Sequence, residues 1–150
     1  MDFKINAVLP ADAQSLWQIF FDVSRVAALI PGCENVVEKE ALTAYSATMK
    51  QKIGPFKFEV PTEIVVEERE EPRLVRVRAK GRDKTTATSI DIVLSVLLEP
   101  AAEGGTRLDV DSSLQVAGRL ATLGYPVVKK KSEELFTEFE RRLRAELEMA

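Results

Sequence analysis

Residues 43–67 read Thr43-Ala44-Tyr45-Ser46-Ala47-Thr48-Met49-Lys50-Gln51-Lys52-Ile53-Gly54-Pro55-Phe56-Lys57-Phe58-Glu59-Val60-Pro61-Thr62-Glu63-Ile64-Val65-Val66-Glu67. Gly54-Pro55 signals a turn, because glycine takes positive φ freely and proline has no N–H to give a sheet ladder. Before the turn, Tyr45, Ala47, Met49, Gln51 and Ile53 fall on one face. After it, Phe56, Phe58, Val60, Thr62, Ile64 and Val66 do so, opposite Lys57, Glu59, Glu63 and Glu67. Side chains of a strand alternate between the two faces of its sheet. This stretch therefore predicts an antiparallel hairpin with one dry face and one wet face.

The same alternation runs from Cys33 to Val116 and breaks at Ala41-Leu42, Gly54-Pro55, Glu70-Pro72, Gly81-Lys84 and Glu103-Gly105. The expected result is a meander of strands, the last break being a glycine hairpin turn. Val75 and Val77 continue the dry face, as do Ile90, Leu94, Val96 and Leu98, then Leu108, Leu114 and Val116. Ahead of the meander, Phe3, Ile5, Ala7 and Leu9 form a strand that Pro10 stops. Asp12 is placed to cap a helix carrying Leu16, Trp17, Ile19 and Phe20, with Trp17 and Phe20-Phe21 expected in the core or, for one of them, in the pocket wall. A short helix from Ser24 to Leu29 closes at Pro31-Gly32. After Gly118 the period becomes 3.6, with Leu120, Leu123, Val127, Val128, Leu135, Phe136, Phe139, Leu143 and Leu147 in one stripe. Gly124 and Pro126 predict a kink or restart near its beginning.

These elements bury both apolar surfaces if a curved antiparallel sheet wraps around a long C-terminal helix, with the short helices closing one end. The expected fold is α+β, a helix grip, in one domain over residues 1–150. The dry face carries small or polar residues at Ala47, Gln51, Thr62, Ala79, Thr88 and Ser112. With Phe56, Phe58, Ile64, Ile92 and Val110 as walls, an incompletely filled interior is expected, and apolar walls with a few polar groups suit a small-molecule pocket. Tyr45 belongs to that set, since a buried phenol needs a partner for its hydroxyl. Pro31, Gly32 and Cys33 are expected to form one side of the rim, and Gly54 and Pro55 the other. No strand sends Arg or Lys inward, so a flat or elongated apolar ligand is expected. Quinone-like molecules fit, offering carbonyls to Tyr45, Gln51 or Ser112. The same residues also fit a filled core, with Thr and Ser bonded to nearby backbone.

Composition narrows the chemistry. The chain has 150 residues, 21 Lys plus Arg against 24 Asp plus Glu, a net charge of -3, one Cys and no His. A chain of this size buries roughly 70% of its unfolded surface without disulfides. The absence of histidine removes the commonest general base and metal ligand, so neither catalytic residues nor a metal or other cofactor is expected. Mild acidity gives no general drive toward nucleic acid. No His, Lys or Arg lies within three residues of Cys33 to stabilise a thiolate, and it is read as a small rim residue. Uncharged runs such as Ala41–Met49 are far short of the roughly 20 apolar residues of a membrane span. Met1-Asp2-Phe3-Lys4 lacks the features of a secretion signal, so the reducing cytoplasm is the expected location.

Arg76, Arg78, Lys80, Arg82 and Lys84 share the face opposite Val75, Val77 and Ala79. Two readings stand for this basic ladder: contact with anionic lipid or an acidic partner, or a solvated face paired with Asp91, Glu63 or Glu67. Lys129-Lys130-Lys131 reads as a solvated helix face.

The run Ile30-Pro31-Gly32-Cys33-Glu34, then Tyr45, Lys52-Ile53-Gly54-Pro55-Phe56, Pro72, Gly81, Gly105-Thr106 and Gly118-Arg119-Leu120-Ala121 resembles the G-subunit family of carbon monoxide dehydrogenase. That family belongs to the START-like (SRPBCC) superfamily of helix-grip ligand binders. The resemblance implies an accessory protein of molybdenum hydroxylases of the carbon monoxide dehydrogenase type, helping to recruit the enzyme to the membrane, where electrons pass to quinone. Many members carry a tail ending in an apolar anchor, and this sequence reaches Ala150 without one. The implied location is cytoplasmic, with peripheral contact at the inner face of the membrane. Two rivals stay open. One is a START-like cyclase or hydrolase using Tyr45, Asp91 or Arg119 for acid and base work, although Asp91 falls on the outward face. The other is an interaction adaptor with a filled core.

Overall fold

The alternating segments form strands and the 3.6-period segment a helix. The computed structural model describes residues 1–102 and 104–149, so the turn predicted at Glu103-Gly105 lies partly outside the described residues. In chain order the elements are β1 (Asp2–Leu9), α1 (Ala13–Phe21), α2 (Val23–Leu29), β2 (Cys33–Glu40), β3 (Ala44–Ile53), β4 (Phe56–Glu70), β5 (Leu74–Asp83), β6 (Thr88–Pro100), β7 (Thr106–Ala117), α3 (Arg119–Thr122) and α4 (Tyr125–Met149). Among the described residues, seven strands make one sheet in the order β1-β7-β6-β5-β4-β3-β2, every pairing antiparallel.

A meander sends its turns alternately to the two ends of the sheet. One end is closed by α1 and α2: the Thr106 hydroxyl donates to the Ala11 carbonyl at 2.7 Å, and Gln14 reaches Glu71 at 2.9 Å. Asp12 caps α1 by accepting from the Ser15 amide. The β3–β4 turn, the β5–β6 turn and α3 share the other end. Gly124, at φ +89°, separates α3 from α4, and α4 then crosses the concave face toward the α1–α2 end. There Arg25 pairs with Glu146 at 2.9 Å and Arg144 donates to the Val8 carbonyl at 2.8 Å.

Two apolar clusters hold the helix. Leu143, fully buried, packs with Leu9, Leu16, Trp17, Ile19 and Leu29 at the α1–α2 end. Val128 packs with Ile53, Phe58, Val60, Leu114 and Leu120 at the α3 end. Between them Leu135, Phe136 and Phe139 face the sheet but are only half-buried.

The turn predicted at Gly81-Lys84 lies further along. β5 continues through Asp83, with Gly81 paired to both Thr62 and Ile90. Glycine serves close packing there, since a Cβ would press on the Val60 and Thr62 side chains. The turn itself spans 84–87 and is built on a polar relay. The Asp83 carboxylate accepts from the Thr85 amide and the Thr86 hydroxyl, both at 2.9 Å. The Thr86 and Thr88 hydroxyls are also 2.9 Å apart. Since the single Thr86 proton goes to the carboxylate, Thr88 donates across that gap. Thr88 in turn accepts from the Leu120 amide at 3.3 Å, fastening α3 to the sheet. Gly118, at φ +80°, makes this possible, because a Cβ there would overlap the Ala87 carbonyl. Burial alone would raise the Asp83 pKa, but the bonds from Thr86 and Thr85 outweigh it and hold the carboxyl below its ordinary value. The stabilisation it gives is complete above about pH 4 and fades as pH falls through the lowered pKa.

Two measurements check this packing. In urea unfolding, Leu143→Ala should cost about 2–5 kcal/mol, and Phe139→Ala less, about 1–2 kcal/mol, because part of that ring faces open space. Equal losses would mean that α4 is packed uniformly along its length. Thr88→Val should cost about 1–3 kcal/mol by leaving the Leu120 amide without its acceptor, and an unchanged unfolding midpoint would remove the relay from the account.

Candidate functional site

Between the two clusters the chain encloses a cavity of about 780 Å³. Its floor is the concave face of the sheet. Short Ala47 on β3 and Ala79 on β5 sit among Ile64, Ile92 and Val110, so the floor is low where longer side chains would meet the helix. Leu135, Phe136 and Phe139 of α4 form the roof. Phe20 and Phe21 of α1 with Val26, Ala27 and Ile30 close the α1–α2 end, and Cys33 and Val36 of β2 form a side wall. The exposed members of the lining mark the mouth: Asp2 and Lys4 at the start of β1, facing Tyr125, Lys129 and Glu133 of α4.

Polar groups are few. Ser132 donates its hydroxyl to the Val128 carbonyl at 2.9 Å. The Tyr45 hydroxyl oxygen is buried and has no hydrogen-bond partner among the described residues. Burial pushes the Tyr45 pKa up, and the Glu38 carboxylate reinforces this. The phenol therefore stays protonated at neutral pH and remains a donor. Burial likewise raises the Cys33 thiol pKa, so the nucleophilic thiolate is disfavoured there.

Of the residues proposed from sequence to contact a ligand, Tyr45, Ala47, Ala79, Ile92, Val110 and Ser112 lie in the cavity wall, with Cys33 of the expected rim. The others lie elsewhere, for identifiable reasons. Phe58 belongs to the cluster at the α3 end and is 4% exposed. Phe56 packs beside that cluster, with the Arg119 guanidinium 5.1 Å from its ring centre. The Thr62 hydroxyl is bonded to the Val60 carbonyl at 3.0 Å, and Thr88 is committed to the relay that holds α3. Gln51 is a tether: its amide donates to the Pro31 carbonyl at 2.7 Å, while the Lys50 amide donates to the Gly32 carbonyl at 2.8 Å. Pro31 and Gly32 are thus fastened to β3 and do not line the cavity. Gly54 and Pro55 are exposed at the tip of the β3–β4 turn, beyond the cluster that plugs that end. The mouth accordingly lies between β1 and α4, and not between the two rim loops.

Sequence reasoning missed the end wall from α2 and the mouth residues. The available signal was that Val26, Ala27 and Ile30 lacked an assigned partner surface. Trp17 is buried in the core, whereas Phe20 and Phe21 line the cavity.

On the outer face of β5, Arg76 lies 3.6 Å from Glu68 and donates to the Ser95 hydroxyl at 3.3 Å. Arg78 lies 3.7 Å from Asp91, and Lys80 stands between Glu63 and Asp91 in the register. The ladder therefore faces acids of both neighbouring strands. Among the described residues, no helix is long and apolar enough to cross a membrane.

No curated protein matches the chain in sequence. Among solved structures, a conserved protein from Geobacillus kaustophilus superposes with a TM-score of 0.90 at 18% identity, covering 99% of this chain and 96% of the other. A START superfamily protein from Mycobacterium smegmatis gives a TM-score of 0.74 at 13% identity, with 99% and 97% covered. A protein from Arthrobacter aurescens gives 0.71 at 18% identity, with 99% and 87% covered. At these identities the likeness concerns the fold, which is the START-like helix grip. Residues 6–148 match the family of the carbon monoxide dehydrogenase G-subunit (CoxG), and the chain belongs to that family.

Proposed function

We propose that this chain is a noncatalytic carrier of an apolar small molecule, a quinone in particular. In this reading it is a single domain that serves a molybdenum hydroxylase of the carbon monoxide dehydrogenase type at the cytoplasmic face of the membrane. The observation that carries the reading is the cavity. At about 780 Å³ it falls within the roughly 300–1,000 Å³ of small-molecule sites. Its wall is nearly all hydrocarbon, and the buried Tyr45 hydroxyl is a donor that makes no full hydrogen bond among the described residues, with the Glu38 carboxylate as its protein neighbour. An unpaired buried hydroxyl costs free energy unless something accepts its proton, and a carbonyl at the edge of a flat apolar ring meets that need. Family membership supports the accessory role and the partner.

The catalytic rival is less well supported. Of the three residues it would use, Tyr45 lines the cavity, while Asp91 and Arg119 do not. A cavity of this size also favours a binder over an adaptor with a filled core.

Thermal unfolding with a short-tailed quinone analogue tests the reading. At a hundredfold excess over Kd the ligand should stabilise the fold by about 2.7 kcal/mol, and no shift at saturating concentration would sink it. Ala47→Trp should keep a cooperative transition and lose the ligand-induced shift. Tyr45→Phe should leave the ligand-free protein as stable or more so, yet weaken quinone binding by about five- to tenfold through one lost hydrogen bond. Copurification with a molybdenum hydroxylase from the protein's own cells tests the partner, and recovery without any such enzyme counts against it.

A further inference from the structure

The phenol in the cavity wall has two destinations for its proton. Tyr45 of β3 stands directly opposite Glu38 of β2, the edge strand, and residues paired in this way put their side chains on the same face. Tyr45 lines the cavity with its hydroxyl oxygen buried, whereas Glu38 is exposed to solvent. The pair therefore runs from the interior to the water outside the sheet edge. Glu34 and Lys39 of the same strand are engaged elsewhere, with Lys50 at 2.8 Å and Glu63 at 2.9 Å. Arg69, the nearby cation, donates to the Leu42 carbonyl. Glu38 makes no ion pair among the described residues, and its carboxylate is left to the phenol. Burial raises the Tyr45 pKa, and the Glu38 carboxylate beside it raises it further.

A carboxylate only accepts hydrogen bonds, and a phenol has a single proton to give. Facing Glu38, the Tyr45 O–H is drawn toward the carboxylate, which leaves its lone pairs toward the cavity. A quinone carbonyl also only accepts. It gains the phenol as a donor only by drawing the proton away from Glu38. A quinol hydroxyl donates, so it meets the lone pairs as they stand, and a chain forms in which the quinol donates to Tyr45 and Tyr45 donates to Glu38. Bonds that end on a charged acceptor are the stronger ones, and bonds in a chain reinforce one another. Ser112, also in the wall, is paired with Phe3 and Leu94 and faces no carboxylate across either strand. Its hydroxyl donates or accepts by rotation and serves both oxidation states alike.

We propose that the Tyr45–Glu38 pair makes the cavity selective for the reduced, hydroxyl-bearing form of its ligand, with Tyr45 as the binding residue and Glu38 as a positioning residue that sets the direction of the phenol proton. This rests on the reading of the cavity as a quinone site. Quinone and quinol differ by two electrons and two protons, and tighter binding of the quinol raises the potential of the bound couple. The rise is about 30 mV for each tenfold in the affinity ratio. A quinone held in the cavity is then easier to reduce than the same quinone free in solution.

Equilibrium titration of the full chain with decylubiquinone and, without oxygen, with decylubiquinol tests the proposal. The quantity read is the ratio of the two dissociation constants, compared between variants so that the difference in hydration of the two ligands cancels. Tyr45→Phe supplies the baseline. Relative to it, the unaltered chain should favour the quinol about five- to tenfold. Glu38→Gln should abolish or reverse that preference, because the amide N–H can donate to the Tyr45 oxygen and turn the phenol proton toward a carbonyl. Its affinity for decylubiquinone should rise, which also shows that the variant is folded. The same ratio in Glu38→Gln as in the unaltered chain, or in Tyr45→Phe as in the unaltered chain, overturns the proposal while the cavity reading stands. Binding of neither form by the unaltered chain overturns the cavity reading itself, so the two failures are distinct.

Discussion

The structure depends on α4 being gripped at two places. Leu143 is embedded in one apolar cluster and Val128 in another, and the chain between them spans the concave sheet like a beam on two supports. Interiors normally close to crystal-like density, and a helix free to settle would collapse onto Ala47 and Ala79. Anchoring at both ends prevents that. The hydrophobic driving force is satisfied at the supports, so the gap between them can persist. The cavity is a consequence of where the core was placed, not a defect in it.

This explains which parts of the site are legible in the sequence. Period two tells which face of the sheet a side chain occupies, and on that basis Tyr45, Ala47, Ala79, Ile92, Val110 and Ser112 belong to the inner face, where they line the cavity. It does not tell how far along the strand the cavity extends. Phe56, Phe58, Thr62 and Thr88 are also on the inner side or near it, but they lie toward the α3 end, where Leu120 and Val128 fill the space. That boundary is set by α3, a four-residue helix too short to give a periodic signal. Gln51 shows a different limit: an amide on a dry face can serve a ligand or a neighbouring loop, and only the position of the Pro31 carbonyl decides. The fold is more legible, because strand alternation and the amphipathic stripe of the last helix do not depend on such distant contacts. Gly81 is the exception, a glycine that reads as a turn but serves close packing inside β5.

The Asp83–Thr86–Thr88–Leu120 relay joins these scales. A carboxylate in a hairpin turn fixes two hydroxyls, and the second of them holds the helix that plugs one end of the barrel-like interior. Four residues thereby set the length of an apolar chamber. Hydrogen bonds are directional, whereas hydrophobic contact is not. The position of the plug is accordingly defined more sharply than packing alone would define it.

Cys33 gains a meaning once the chamber is read as a quinone site. Quinone rings are electrophiles, and a thiolate held beside one adds to the ring, turning a carrier into a dead-end conjugate. The side wall at Cys33 withholds that reaction: burial raises the thiol pKa, no lysine or arginine adjoins it in sequence to favour the anion, and the protonated sulfur is a poor nucleophile. In that reading, the same dry wall that would hold a quinone also keeps the thiol beside it protonated.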